Sequence, residues 1–334
     1  MPPDGTESSK FTIGKVETVS EGLAAIKGWA PLLPELWFRG HSSERFALLP
    51  SVFRQGPNWG RVIDEAGLFR DFIREFAEMR TEHRSEFEWL TLMQHYSIPT
   101  RLLDWTASFL VALYFAVSER IDEDGTVYIL NPAYLWVEST NVLTPLLTAQ
   151  IESHNWQSLV LRLAAASRQL FPGAVSLNGI DCAAVESDPF QQVDAMGRPH
   201  EIQSLSHRRK TSRYRNAVTG MISDELDEDL TRHLSTVIAL RPPKLNPRLI
   251  AQHGMFTFHG GKLLEGRQAI PAMPLEQISE SDSLAALAVP AGAKRALIQE
   301  LRRSGIYEAV LFPEMEYRAR EICAQRVTTY VKRD

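Results

Sequence analysis

The chain has 334 residues, 44% of them apolar, with a formal net charge of −5 and two cysteines. That length and apolar content suit one large domain or two modest ones with a real core, and the negative balance excludes a global electrostatic pull toward nucleic acid. Cys182 and Cys323 stand far apart, with no Cys or His at ligand spacing, which argues against a disulfide framework and a structural zinc site and fits a reducing cytoplasm.

No apolar run approaches the length needed to span a bilayer. The opening MPPDGTESSKFTIGK lacks a basic region followed by an apolar one, so it does not read as a signal peptide. The expectation is a soluble cytoplasmic protein with no membrane partner.

In chain order, Glu21 to Ala30 reads as a short helix closed by Pro31 and Pro34. Leu36 to Arg39 reads as a strand ending at Gly40. Residues 61–80 carry Ile63, Ala66, Phe69, Ile73 and Phe76 at helical steps. A second helix is expected from Glu86 to Tyr96, and Pro99 prevents its continuation. Thr100 to Trp105 reads as a short strand, and Thr106 or Ser108 as the cap of a helix over Phe109 to Arg120. A strand follows from Gly125 to Leu130.

The middle of the chain is less regular. Trp156, Leu159, Val160, Leu163 and Leu170 outline one helix, and residues 172–201 read as loop-rich. Strands are expected over Ser235 to Leu240, Leu249 to Gln252, Met255 to His259, Leu284 to Val289 and Glu308 to Phe312. A helix over Ala293 to Arg303 places Gly305 where a left-handed residue is wanted, and a last helix covers Met315 to Gln325. Helices cluster early and strands late, an α+β pattern without strict βαβ alternation.

The densest chemistry lies in EFEWLTLMQHYSIPTRLLDWTASFLVALYFAV, residues 86–117. Gln94, His95, Thr100, Arg101, Asp104, Trp105, Thr106 and Ser108 sit between two apolar runs. Polar groups so close to a core need partners, so this knot is either a hydrogen-bond hub or a binding site. Arg39, at the end of an apolar strand, offers a planar fork suited to phosphate, or forms a structural ion pair, for instance with Asp104. Gly40 behind it lets a backbone or a ligand approach closely. Arg101 and Asp104 could pair with each other. Thr106 and Ser108 could instead line a cleft at a helix N-terminus, whose free N–H groups suit an anion. His95 fits a favourable contact with its helix dipole, and no second ligand at i+3 or i+4 supports a metal there, so no metal is expected. The basic run 207–215 and the acidic run 224–229 read as solvated segments, with nucleic-acid contact the alternative for the first. P-loop, Rossmann, GxSxG and HExxH motifs are absent.

Together these segments resemble the FRG domain family, named for an aromatic-Arg-Gly motif. Phe38-Arg39-Gly40 matches that motif, and Leu49 to Arg54 matches part of a Leu-x-Pro-Ser-x-x-Arg-like stretch. Gln94 to Thr106 matches the longest motif almost in full, with Ser97 where the family commonly has Gly, and Gln252-x-Gly254-x-Phe256 matches a late motif. The resemblance covers about 35 to 260.

The order of parts also resembles the ADP-ribosyltransferase superfamily: an early Arg or His, often followed by Gly, then a hydroxyl-bearing strand leading into a helix, then a late Glu or Gln. Arg39-Gly40, Thr106-Ala107-Ser108 and Gln252 fall in that order. The resemblance implies an α+β fold with an ADP-ribosyltransferase-like split sheet and an N-terminal helical layer. It implies a segment over 1–34, an FRG domain over 35–260 with a loop-rich helical insertion around 131–230, and a strand/helix extension over 261–334 packed on the same domain. NAD would be the substrate, with Arg39 and Gln252 catalytic. Arg39, Gly40, His41, Arg101, Trp105, Thr106, Ser108 and Tyr114 would bind it, supported by Gln94, His95, Thr100 and Asp104. Gln252 replaces the Glu that many such transferases use, which leaves three alternatives: weak activity, another acid such as Glu265, or no activity.

The resulting expectation is an NAD-dependent transferase, a bacterial toxin or antiphage effector. It would act on an unidentified protein or nucleic-acid target, with an antitoxin or regulatory partner. The competing expectation is a non-enzymatic FRG module whose polar motif is structural. For the first, Arg39, Ser108 and Gln252 must converge on one cleft.

Overall fold

The computed structural model describes residues 10–30, 32, 35–54, 63–76, 86–135, 151, 176–177, 180–181, 236–242, 244, 246–264, 267–270 and 272–326. The strands are β1 (Thr12–Lys15), β2 (Trp37–His41), β3 (Leu102–Thr106), β4 (Gly125–Leu130), β5 (Ser176–Leu177), β6 (Ile180–Asp181), β7 (Val237–Leu240), β8 (Gly254–His259), β9 (Lys262–Leu264), β10 (Arg267–Ile270) and β11 (Leu284–Val289). The α-helices are α1 (Val19–Trp29), α2 (Glu65–Glu75), α3 (Glu86–His95), α4 (Phe109–Val117), α5 (Pro247–Ala251), α6 (Leu275–Ile278), α7 (Ala291–Arg303), α8 (Glu308–Leu311) and α9 (Met315–Arg326).

Seven strands form one mixed sheet in the order β1-β11-β4-β2-β3-β8-β7. β1 runs parallel to β11, and the other neighbours are antiparallel. The fold is therefore mixed α and β, and its sheet draws strands from both ends of the chain rather than from a late run alone. β4 is buried at all six positions, as a continuous apolar strand covered on both faces should be.

Helices cover one face in two packs. Phe38, Val127, Ile129 and Leu287 pack with residues of α4 and α7, with α1 partly buried against them. Leu102, Ile238, Phe256 and Phe258 pack with Phe69 and Phe72 of α2 and Trp89, Leu90 and Met93 of α3. On the opposite face, Trp37, Leu103, Trp105 and Tyr128 cluster with Leu48 and Leu275. α4 is apolar almost all round because it is sandwiched in the first pack. It lies so close to β2 that a Cβ on Gly40 would meet the Ala112 carbonyl oxygen at 1.9 Å. The close approach that Gly40 permits is thus made by a helix backbone.

The joint between β2 and β3 is narrow. β2 pairs with β4 along all five residues, but with β3 only through Phe38 and Thr106. Beyond that pair no ladder holds the two strands, and the helical packs part above the same line.

Two buried cations tie the layers together. Arg101, wholly buried, holds Glu65 of α2 with Nε to Oε1 at 2.8 Å and Nη2 to Oε2 at 2.5 Å, while Nη1 donates to the His259 carbonyl at 3.2 Å. Its guanidinium also lies over the rings of Phe53 and Phe258. Lys294 of α7, equally buried, donates to the carbonyls of Ser42, Glu119 and Arg120, clamping the C-terminus of α4 to the exit of β2.

The structure changes several expectations. Residues 249–252 are not a strand: Asn246 caps α5 through the Leu249 N–H at 2.7 Å and Pro247 occupies its first turn. Residues 308–312 likewise hold the short helix α8, because a short apolar run cannot tell buried strand from helix. The expected helix 61–80 is found over Glu65–Glu75, capped by Asp64. Ser108, not Thr106, caps α4, and Gly305 is left-handed with φ +80 after α7. The Trp156 to Leu170 helix, both charge runs, Cys182 and Glu265 lie outside the described residues; of the expected 172–201 loop, the described residues are the short antiparallel pair β5–β6.

Ser97 has φ 61, in the left-handed region between α3 and Pro99. The Gly common there in the FRG family avoids this strain. Ser97→Gly should raise stability by about 1 kcal/mol in urea unfolding. Arg101→Met should cost about 3–5 kcal/mol, since it strands a buried carboxylate, and pairing it with Glu65→Leu should recover much of the loss.

Candidate functional site

A cleft of about 500 Å³ opens at the narrow joint. β2 contributes Arg39, Gly40 and His41, and β3 contributes Asp104, Trp105 and Thr106. Gln94 and His95 come from α3, Val111 and Phe115 from α4, Phe46 and Arg54 from the segment after β2, and Arg248 and Gln252 from α5 and its cap.

Arg39 reaches across the joint. Its side chain is 17% exposed, its Nη1 donates to the Asp104 carbonyl at 2.5 Å, and the Asp104 carboxylate lies 3.7 Å away. Nε donates to His41 Nε2 at 2.9 Å. Nη2 has no partner among the described residues. Burial lowers the guanidinium pKa to about 10, partly opposed by Asp104, with Arg54 adding to the depression.

His41 fixes the direction of that fork. Because its Nε2 accepts from Arg39, its proton sits on Nδ1 and is donated to the Phe46 carbonyl at 3.1 Å. Burial, with Arg39 and Arg54 nearby, holds its pKa well below the usual imidazole value. Arg54 donates Nε to the Leu49 carbonyl at 2.7 Å, and burial lowers its pKa while Asp104 opposes the shift. The cleft therefore gathers Arg39, Arg54 and Arg248 against the carboxylates of Asp104 and Glu119.

The polar knot divides into two parts. Gln94 Nε2 donates to Asp104 Oδ2 at 2.8 Å, and Thr100 Oγ1 donates to Gln94 Oε1 at 2.6 Å. Thr106 Oγ1 donates to the Gln252 carbonyl at 2.7 Å and accepts the Ser108 N–H at 3.0 Å. Gln252 Nε2 donates to the Leu311 carbonyl at 3.2 Å. Trp105 borders the cleft but is buried, with its indole N–H on Thr257 Oγ1 at 3.0 Å. His95 lies in the last turn of α3, and burial, with Arg248 nearby, lowers its pKa.

Four expected residues fall elsewhere. Arg101 is wholly enclosed with Glu65, so it neither pairs with Asp104 nor faces the cleft. Thr100 is buried beneath it and acts through Gln94. Ser108 does not border the cleft; its hydroxyl caps α4 on the Val111 N–H at 3.5 Å. Tyr114 packs on the apolar pack of α4, where burial raises its phenol to about 12. Of the three residues expected to converge, Arg39 and Gln252 border one cleft and Ser108 does not; Thr106 borders it as well. Arg54, Arg248 and Phe46 were not singled out from sequence. Arg54 ends the Leu49 to Arg54 motif, which pointed to it, whereas Arg248 carries no sequence signal. Among the described residues, no cluster of His, Cys, Asp and Glu could hold a metal ion, and no helix is long and apolar enough to cross a membrane.

A second buried imidazole, His259, accepts from Thr257 and is pushed down to about 3 by burial. Both His41 and His259 stay neutral when folded and take up protons on unfolding below their ordinary value of 6.5. Their contribution is therefore complete above that value and is lost as pH falls. Unfolding free energies from urea titrations at pH 6.5 and 5.5 should show a drop of up to ~1.4 kcal/mol per pH unit for each histidine.

No curated protein and no solved structure matches the chain. The family model of the FRG domain matches residues 34–125, which run from the entry to β2 through α4 to the start of β4. That span supplies Arg39, His41, Arg54, Gln94 and Asp104 to the cleft, and the chain thus carries an FRG domain at residues 34–125.

Proposed function

We propose that the cleft binds NAD and that the protein is an NAD-dependent ADP-ribosyltransferase acting on a protein or nucleic-acid target. The observation that carries this reading is the unpartnered face of Arg39 beside Arg54 in a cleft of about 500 Å³, a volume suited to a nucleotide. Arg54 adds to the depression of the Arg39 charge, an arrangement that favours an anionic ligand between the two guanidinium groups, and a diphosphate matches two forks. Phe46, 39% exposed at the cleft, and Phe115 offer aromatic surface for a planar ring. The single β2–β3 pair supports the split-sheet resemblance, because the cleft lies where the sheet is least joined.

The setting of a toxin or antiphage effector in the cytoplasm, with an antitoxin or regulatory partner, rests on the resemblance. Gln252 at the third position departs from a transferase Glu, and its Nε2 is already engaged by Leu311.

A non-enzymatic module is the second reading. It is favoured by Arg101 and Thr100, the most buried polar members of the long motif, whose partners all lie within the protein.

Calorimetry with NAD, beside chromatographic assay of nicotinamide release, separates the two. Arg39→Ala should weaken NAD binding by roughly 10- to 100-fold, the effect of losing a charged hydrogen-bonding partner. Arg54→Ala should weaken it less. Absence of NAD binding at millimolar concentration, or affinity unchanged in Arg39→Ala, would sink the reading.

A further inference from the structure

We propose that Asp104 is the catalytic carboxylate of this cleft, aimed by Gln94 and Thr100; the assignment rests on the NAD reading above and names the acid that Gln252 does not supply. Two carboxylates border the cleft, Asp104 and Glu119. Asp104 is the one beside Arg39, 3.7 Å from its guanidinium, with a side chain 54% exposed. The ribose attached to a diphosphate held by Arg39 would therefore lie within reach of it.

The carboxylate is held by a directed chain of hydrogen bonds. The Leu102 N–H donates to Thr100 Oγ1 at 3.1 Å, so that hydroxyl turns its own proton to Gln94 Oε1 at 2.6 Å. The amide of Gln94 must then present its nitrogen to Asp104, and Nε2 meets Oδ2 at 2.8 Å. Thr100 is fully buried, so the chain is rooted in the core. Oδ1 has no partner among the described residues. A carboxylate present only to neutralise Arg39 would need no such aim. Its ion pair is the longer contact, while the short bonds run back through Gln94 to the core. Gln94 and Thr100 are positioning residues in this arrangement.

The chemistry balances with water or a target group H–X as acceptor. The bond between ribose C1′ and the pyridinium nitrogen breaks, and its electron pair leaves with neutral nicotinamide. The positive charge developing on the ribose faces the Asp104 carboxylate, which stabilises it. X adds to C1′, and its proton passes to Asp104 and then to solvent. The products are nicotinamide, the ADP-ribosyl adduct (free ADP-ribose when water is the acceptor) and a proton.

The test uses the full chain with NAD and water as acceptor, measuring nicotinamide release and, separately, NAD affinity. Asp104→Asn should cut release about 100-fold or more while leaving affinity within about threefold. Thr100→Val should lower kcat about tenfold at unchanged KM, and Thr100→Ser, which keeps the hydroxyl, should restore it. An Asp104→Asn protein as active as wild type, or one that loses NAD binding, overturns the assignment alone. A wild-type chain that binds NAD but never cleaves it in water overturns it as well, leaving a binding site. A wild-type chain that does not bind NAD overturns the underlying reading.

Discussion

β2 and β3 meet through the single pair Phe38–Thr106, and side chains must hold what the ladder does not. Arg39 spans the opening to the Asp104 backbone, Thr106 ties β3 to the cap of α5, and Lys294 fixes the exit of β2 against α4. A complete ladder here would satisfy the same backbone groups but fill the space that the cleft occupies. The narrow joint therefore couples stability to the site. The groups that hold the sheet together are largely those that border the cavity.

That coupling explains why the long polar motif looks alike throughout in sequence yet acts in two ways. β3 alternates its side chains between faces. Leu103 and Trp105 join the cluster with Trp37 and Tyr128, while Asp104 faces the seam between the helical packs. Arg101, one step before the strand, enters the core and finds Glu65. Two ions three residues apart, Arg101 and Asp104, thus take different partners, Glu65 and Arg39, because the strand sends them to different environments. No spacing rule for local pairs applies to a strand entry, which is why an Arg101–Asp104 pair was a plausible but unrealised reading.

Much of the fold was legible where the local signal is strong. The apolar run of β4 and the Gly305 stop follow from side-chain chemistry within a few residues, whereas the equally local capping box Thr18–Glu21 and the Asp64 cap went unread. The errors at 249–252 and 308–312 share one cause: four- or five-residue apolar segments contain too few positions to separate a period of 2 from one of 3.6. In the site, Arg39, Gln94 and Asp104 announced themselves as costly polar residues beside apolar runs. Ser108 and Tyr114 misled for the opposite reason. A hydroxyl before a helix is sufficiently explained as a cap, and a tyrosine on an apolar helix as packing. Arg248 could be placed only by the fold, since α5 reaches the cleft through the β8 end of the sheet rather than through any motif of its own.

Electrostatics then sets the character of the cavity. His41 is neutral because burial and two guanidinium groups disfavour its charge, and in that form it is an acceptor that aligns the Arg39 fork. Were it protonated, it would become a donor and a third positive charge, and the Nε contact would be lost. The buried imidazole thus makes it possible to hold a cation close to Arg54 without a dedicated carboxylate for each. Asp104 serves both Arg39 and Arg54 as a nearby negative charge, with Glu276 a smaller one for Arg39. The excess of positive charge that results is local, inside a chain whose net charge is −5, so under the proposed reading it would attract an anion to one place without making the whole surface adhesive to polyanions. An anion that binds there completes the charge balance that the protein leaves open, and the same interaction would draw the two sides of the β2–β3 joint together.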